Sequence, residues 1–186
     1  EYCLTELGGM AIPMGNRVIM PVQVAERGYA WLKLKAKGIA GHGAIPRPGS
    51  AVEKLSQAVS RLCKKPLNYR LTPEARTFLA AVASAQSPAA SAAIRGLMTS
   101  TTAPLALKLI PEERRAVFRA MLYDTASVTM LTAGSKVNVV PGAATAEVDG
   151  RYLPGVTEKE FLEEIRQVVG PDIEIEVTDS GPPVVM

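Results

Sequence analysis

An α+β fold, with two amphipathic helices laid on one side of a four-stranded antiparallel sheet, is the class this sequence predicts, and three observations carry it. Apolar residues alternate at period two in four separate stretches. Two other stretches repeat apolar residues at helical spacing, each opened by a Ser/Thr-x-x-Glu capping box. Along the 186 residues these occur in the order strand, helix, strand, strand, helix, strand.

Residues 1–27 read as short apolar strands broken by Gly8, Gly9, Pro13 and Gly15. The chain opens on Glu1, and its first segment looks like mid-protein sequence, so an excised piece of a longer protein is expected. From 29 to 37, Leu32, Leu34 and Ala36 alternate with Lys33, Lys35 and Lys37, a strand with one wet face. GIAGHGAIPRPG at 38–49 holds four Gly and two Pro in twelve residues, a density that only a loop tolerates.

Ser50 and Glu53 open the first helix, which sets Ala51, Val52, Leu55, Ala58, Val59 and Leu62 on one face and ends near Lys64 and Lys65, before Pro66. Residues 71–122 read as a helical insertion. Thr72-Pro73-Glu74 starts a helix running to about Ala85. A second start lies at Pro111-Glu112-Glu113, with Val117, Met121 and Leu122 on one face, and the Ser/Thr/Ala/Pro stretch between the two reads as one of low order.

Alternation returns at 126–133 and 143–152, two strands joined by SKVNVVPG with its Pro-Gly turn; Gly134 and Gly142 serve turns. Thr157 and Glu160 box the start of the last helix, with Phe161, Leu162, Ile165, Val168 and Val169 on its inner face and Gly170-Pro171 as its stop. Ile173, Ile175 and Val177 close the chain's regular structure as a strand. The sum is the ferredoxin-like β-α-β-β-α-β arrangement: an antiparallel sheet, two helices on one face and a helical insertion.

Composition narrows the function. Hydrophobic residues make up 47% and charged residues 21%, which excludes a disordered, collagen-like or coiled-coil chain. No apolar run approaches the ~20 residues of a membrane span, so no membrane partner is expected. Net charge is +3, with the basic excess in residues 1–70 and an acidic excess in 143–186. Nucleic acid is not expected as a partner either. The lysines alternate as on a strand face, and the middle strand pair offers Tyr152 alone as a stacking aromatic. Cys3 and Cys63 form no framework and read as buried or half-buried thiols of a reducing compartment, the cytoplasm before any other. One histidine, His42, and two scattered cysteines cannot build a zinc site from nitrogen and sulfur alone.

Four features together resemble the M20 family of zinc-dependent metallopeptidases, the aminoacylase- and carboxypeptidase-like hydrolases. CLTELGG at 3–9 is similar to the family's A-L-[ND]-E-G-G. GIAGHGAIPRPGSAVEKL at 38–55 is similar to G-x-x-G-H-[GSA]-x-x-P-x-x-x-x-N-A-[IV]-x-x-L. SKVNVVPGAATAEVDGRYLPG at 135–155 is similar to N-x-[IV]-P-x-x-[AC]-x-x-x-x-D-x-R-x-x-P-G. The ferredoxin-like layout, reached independently, matches the family's inserted lid, or dimerisation, domain. The resemblance implies a remnant of the catalytic domain and linker at 1–27, a lid at 28–178 with its insert at about 71–122, and a return linker at 179–186. The insert resembles the longer-lid members near carboxypeptidase S.

It further implies a full-length enzyme with two zinc ions, most of whose ligands lie outside this chain; none is expected bound to the fragment. Glu6 matches the family's zinc-ligating Glu, although Leu7 follows it where the family has Gly. His42 matches the lid His that stabilises the oxyanion, delivered across a homodimer, with Gly41 and Gly43 allowing close backbone approach. Arg151 matches a lid Arg that takes the substrate carboxylate, and Asn138 an Asn that binds nearby; the neighbourhood departs at Gly150. The residues by themselves also fit plainer roles. Glu6 could be a solvated carboxylate, His42 an exposed loop residue, Asn138 a turn residue, and Arg151 a strand-face cation paired with Asp149 or Glu147. The function implied is hydrolysis of an amide beside a carboxylate, in an N-acyl amino acid or short peptide, by the lid together with its own catalytic domain. The alternative is a non-enzymatic ferredoxin-like module for dimerisation or small-ligand binding.

Overall fold

The computed structural model describes residues 11–14, 17–45 and 48–186. In chain order its elements are β1 (Ile12–Met14), β2 (Arg17–Ile19), β3 (Ala25–Glu26), β4 (Gly28–Lys37), β5 (Gly41–His42), α1 (Ala51–Lys64), α2 (Pro73–Ser84), α3 (Pro88–Gly96), α4 (Ala103–Leu109) and α5 (Glu112–Leu122). Then come β6 (Thr125–Ala133), β7 (Val139–Val140), β8 (Ala143–Tyr152), α6 (Glu158–Val169), β9 (Ile173–Gly181) and β10 (Val184–Val185). They fall into two compact units, one comprising Arg27–Asn68 and Asp124–Pro183, the other Glu1–Glu26, Tyr69–Tyr123 and Val184–Met186.

The first of these is a four-stranded sheet in the order β6-β8-β4-β9 with every pairing antiparallel. Taken in chain order its strands stand 2-3-1-4, the ferredoxin-like topology. Period-two alternation puts Ala30, Leu32, Leu34 and Ala36 of β4 and Ala144, Ala146, Val148 and Tyr152 of β8 on one buried face. Leu55, Ala58 and Leu62 of α1 and Phe161, Ile165, Val168 and Val169 of α6 pack onto it. Each large side chain here contributes on the order of 1.5–3 kcal/mol by leaving water. The helices are also tied to each other: Arg61 on α1 donates from Nε to the Val168 carbonyl at 2.9 Å and from Nη2 to that of Val169, satisfying the C-terminal end of α6.

The caps separate the two helices. Thr157 and Glu160 form a full box on α6. On α1 the Ser50 hydroxyl accepts from Glu53 N–H at 3.2 Å, but the Glu53 carboxylate reaches past Ser50 to the Gly49 N–H at 2.7 Å, because the preceding loop turns that amide inward. Val52 lies on the outer side of α1, 39% exposed, rather than on the buried stripe.

The opposite sheet face is open and carries ions. Lys33 pairs with Glu147 at 3.2 Å, Lys35 with Glu174 at 3.6 Å and with Glu176, and Lys37 with Glu174 at 3.2 Å. Towards the other end, Tyr29 and Trp31 lie side by side with centroids 5.7 Å apart. This corrects the sequence reading of aromatics: β4 belongs to the middle pair, so Tyr29 and the 48%-exposed Trp31 face outward there, whereas Tyr152 is buried against Phe161. On this face acidic partners interleave the lysines.

The other unit holds α2–α5 around Leu79, Val82, Ala83, Ile94, Leu97, Ala106, Leu107, Phe118 and Leu122. Two sequence expectations fail in it. The stretch read as low in order contains α3 and α4. Pro88 and Pro104 sit in their first turns, where a missing N–H costs nothing, and Ile94, Leu97 and Leu107 supply the packing that helices this short need. On α5 Leu122 is buried as expected, but Val117 is 63% exposed and Phe118 takes the buried place assigned to it. Cys63 is exposed rather than buried, and Cys3 lies outside the described residues.

Two outcomes follow. A Cβ at Gly150 would stand 2.6 Å from Phe161 Cε1 and 2.7 Å from the Ala30 carbonyl oxygen. The backbone atom cannot swing away, so Gly150→Ala lowers stability by about 1–3 kcal/mol in urea titration, whereas Gly41→Ala, at a site with an ordinary backbone conformation and nothing within 4 Å, costs far less. Hydrogen bonding to Lys37 holds Glu174 below the ordinary carboxylate range, and Lys35 does the same for Glu176. Depressed carboxylates contribute stability that is present above their unfolded pKa and lost as pH falls through the folded value. Thermal melts are therefore flat from neutral pH down to the carboxylate range and drop below it, and Lys35→Met flattens the drop.

Candidate functional site

The chain leaves β4 at Lys37 and re-enters the sheet on β8 at Ala143, and these two residues are register partners. The loops beyond them therefore meet at one end of the sheet. Gly38 N–H donates to the Gly142 carbonyl at 3.0 Å. One step further out β5 pairs with β7, Gly41 opposite Val140 and His42 opposite Val139. Gly43 N–H then donates to the Asn138 carbonyl at 2.8 Å. A Cβ on Gly43 would stand 3.2 Å from that carbonyl group, a tight contact that favours glycine there. Gly41 has nothing within 4 Å in this chain.

His42 is exposed at the tip of this ribbon. Its carbonyl accepts from Ile45 N–H at 2.9 Å, closing a turn, and its Nδ1 accepts from Ala44 N–H at 3.2 Å. A ring nitrogen that accepts carries no proton, so this hydrogen bond assigns the neutral ring's proton to Nε2, which faces away from the turn. Asn138 stands beside it, also exposed. The ribbon thus offers a hydrogen-bond donor and an amide at one tip of the molecule.

Arg151 is not with them. It lies eight residues along β8 from Ala143, roughly 27 Å away at strand rise, at the Tyr29 end of the open face. Its Nε donates to Asp149 Oδ1 at 2.8 Å and its Nη2 to Oδ2 at 3.2 Å, while the guanidinium carbon sits 5.7 Å from the Tyr29 ring centroid. The pairing with Asp149 is the plainer role considered for it. Beneath it, two residues that the sequence reading passed over organise this end. Arg27 Nη2 donates to the Arg151 carbonyl at 2.8 Å and to Thr125 Oγ1 at 2.9 Å, and the buried Asp124 accepts from Leu153 N–H at 2.8 Å. Burial pulls the Arg27 pKa down and Asp124 pushes back. An ionisable residue at the very start of an alternating run was the available signal for both.

Glu6 lies outside the described residues. Among those described, no group of three or more His, Cys, Asp or Glu could hold a metal ion. The described residues therefore do not make a centre for the two zinc ions that the resemblance implies.

Comparison with known proteins gives a family and a fold. The family model described as peptidase dimerisation domain matches residues 24–174. The chain is 27% identical over 159 residues to the probable carboxypeptidase S-like 2 of Dictyostelium discoideum, a stretch covering 84% of this chain and 29% of that protein. It is 29% identical over 162 residues to the N-fatty-acyl-amino acid synthase/hydrolase PM20D1 of Mus musculus, covering 87% of this chain and 31% of that one. The M20 family metallo-carboxypeptidase Sso-CP2 of Sulfolobus solfataricus shares its fold, with a TM-score of 0.53 at 17% identity over 87% of this chain and 45% of that chain. The chain spans about three-tenths of the length of these curated relatives.

The proton assignment on His42 is directly measurable. Long-range nitrogen–proton spectra of the imidazole at neutral pH should show the Nε2–H form dominant; a dominant Nδ1–H form overturns the geometry described for the turn.

Proposed function

This chain belongs to the peptidase dimerisation-domain family, and on that footing we propose that it is the lid of an M20-type hydrolase that splits an amide beside a carboxylate, in an N-acyl amino acid or a short peptide. The observation that carries the reading is the exposed His42 ring, pinned at Nδ1 with its Nε2–H directed outward and Asn138 alongside. Cleavage of an amide passes through a tetrahedral centre whose oxygen gains negative charge. A donor already oriented at that oxygen lowers the barrier, and loss of one such donor costs about 10²–10³ in kcat. In this reading His42 is the donor and Asn138 holds the substrate nearby.

Arg151 takes the substrate's carboxylate. Asp149 occupies the Nε/Nη2 edge of the guanidinium and leaves Nη1 for the ligand, where a planar fork suits a carboxylate better than an ammonium would. The names of the curated relatives, a carboxypeptidase and an N-fatty-acyl-amino acid hydrolase, support a substrate with an amide next to a free carboxylate.

The ~27 Å between the two ends of β8 prevents one copy from bringing His42 and Arg151 to the same small substrate, so the reading requires two copies. The sheet edges support where they meet. The edge strand β9 carries Glu174, Glu176 and Asp179, charges that discourage strand addition. The other edge strand, β6, reads TASVTMLTA, with no charge and no proline and with Met130 and Leu131 exposed. We place the homodimer contact there, the lid's own catalytic domain completing the site. The two zinc ions of the full-length protein, with Glu6 as a ligand to one of them, belong to the same proposal and are held by groups other than the described ones.

Mixing variants of the full-length protein tests this. His42→Ala and Arg151→Ala homodimers each lose activity, His42→Ala by about 10²–10³ in kcat. When the two are unfolded together and reassembled at equal amounts, half the dimers are mixed and each carries one intact site, so roughly a quarter of wild-type activity returns. No recovery places both residues in one chain's site. Unchanged turnover in His42→Ala leaves the chain as a dimerisation module only.

A further inference from the structure

The helical unit holds a cavity that the proposed function does not use. It opens among α2, α3, α4 and α5, with a volume of about 130 Å³. Its floor is Val82, Ile94, Ile110 and Phe118, all buried. Ala90 and Ala93 form the α3 side, and their small side chains are what leave it open. An apolar cavity of about 150 Å³ takes up a benzene-sized guest, so this one matches a ring or a chain of a few carbons.

The mouth is not apolar. Arg114 and Gln86 are the polar lining residues, and no acidic side chain lines the cavity. The neighbouring Arg115 is committed to helix carbonyls, donating to Leu107 at 3.0 Å and Ile110 at 3.1 Å, so it ties α4 to α5. Arg114 makes no such bond among the described residues and is exposed. Glu112 and Glu113 stand two and one positions before it on α5, spacings at which helix side chains do not face each other. The surrounding helices carry Arg76, Arg95, Lys108 and Arg119 against Glu74, Glu112 and Glu113, an excess of positive charge. A hydrocarbon-lined hole with one guanidinium at its rim is complementary to an anion with a short apolar tail.

We propose that this cavity binds a short-chain or aryl-substituted organic monocarboxylate, its hydrocarbon end among Ile94, Ile110 and Phe118 and its carboxylate on Arg114. The site lies wholly within the helical unit and does not depend on the role given to His42.

The probe is hexanoate, titrated into the 186-residue chain and followed by amide nitrogen–proton spectra, with 1-hexanol and acetate as controls. Saturable shifts confined to α3, α5 and the α4–α5 junction are expected with hexanoate, binding about tenfold weaker with hexanol, and none with acetate. Arg114→Gln should bring hexanoate down to the hexanol affinity and leave hexanol unchanged. Ala93→Leu fills the cavity and should abolish both; Ala90→Leu serves if a thermal melt shows Ala93→Leu unfolded. Absence of saturable hexanoate shifts, equal binding of hexanoate and hexanol, or binding that survives a folded cavity-filling variant overturns the proposal.

Discussion

The antiparallel pairing of β4 with β8 is the constraint from which the rest follows. Ten residue pairs from Gly28 opposite Tyr152 to Lys37 opposite Ala143 set which side chains enter the core and which loops share an end of the sheet. A slip of one residue would turn every buried Leu and Val of these strands to water, so the register is held by the whole hydrophobic face. Because that register is fixed, the segment leaving β4 and the segment entering β8 arrive side by side, and His42 stands next to Asn138 without any direct bond between their side chains. The placement of the tip is thus fixed by core packing some distance from it.

The two ends of this sheet are held by different chemistry. At the Lys37 end the open face is a ladder of lysines and glutamates in water, where each pair contributes on the order of 0–1 kcal/mol. At the Tyr29 end, aromatic rings, the Arg151–Asp149 fork and the buried Arg27–Asp124 pair are layered through the sheet. Separating Arg27 from Asp124 would leave a buried charge uncompensated, which is far more costly than losing a surface pair.

Much of the fold could be read in the sequence because the physics there is local. Alternation at period two in 28–37 and 143–152, the Thr157–Glu160 box and the Gly170 stop are all short-range signals, and each lies where its pattern put it. What was not legible depended on partners distant in sequence. α3 and α4 are short, 9 and 7 residues, with no side-chain cap, and pack into the core formed with Leu79, Phe118 and Leu122 from other helices. The outward position of Trp31 follows from the alternation that turns Lys33, Lys35 and Lys37 to water; what the reading of aromatics passed over is that this strand is one of the middle pair. At the candidate site, the motif around His42 and Asn138 was visible as sequence, and their adjacency follows from β5–β7 pairing. The distance to Arg151 is a property of β8's length, and similarity of motifs carries no information about it.

One detail of the ribbon bears on what its histidine ring presents to solvent. The lone pair of Nδ1 is occupied by a backbone amide, where many reactive histidines instead point an N–H at a carboxylate. A ring wired to a carboxylate is prepared to abstract a proton through its other nitrogen. Here no lone pair is left over for that task, so the neutral ring presents a proton rather than a basic nitrogen.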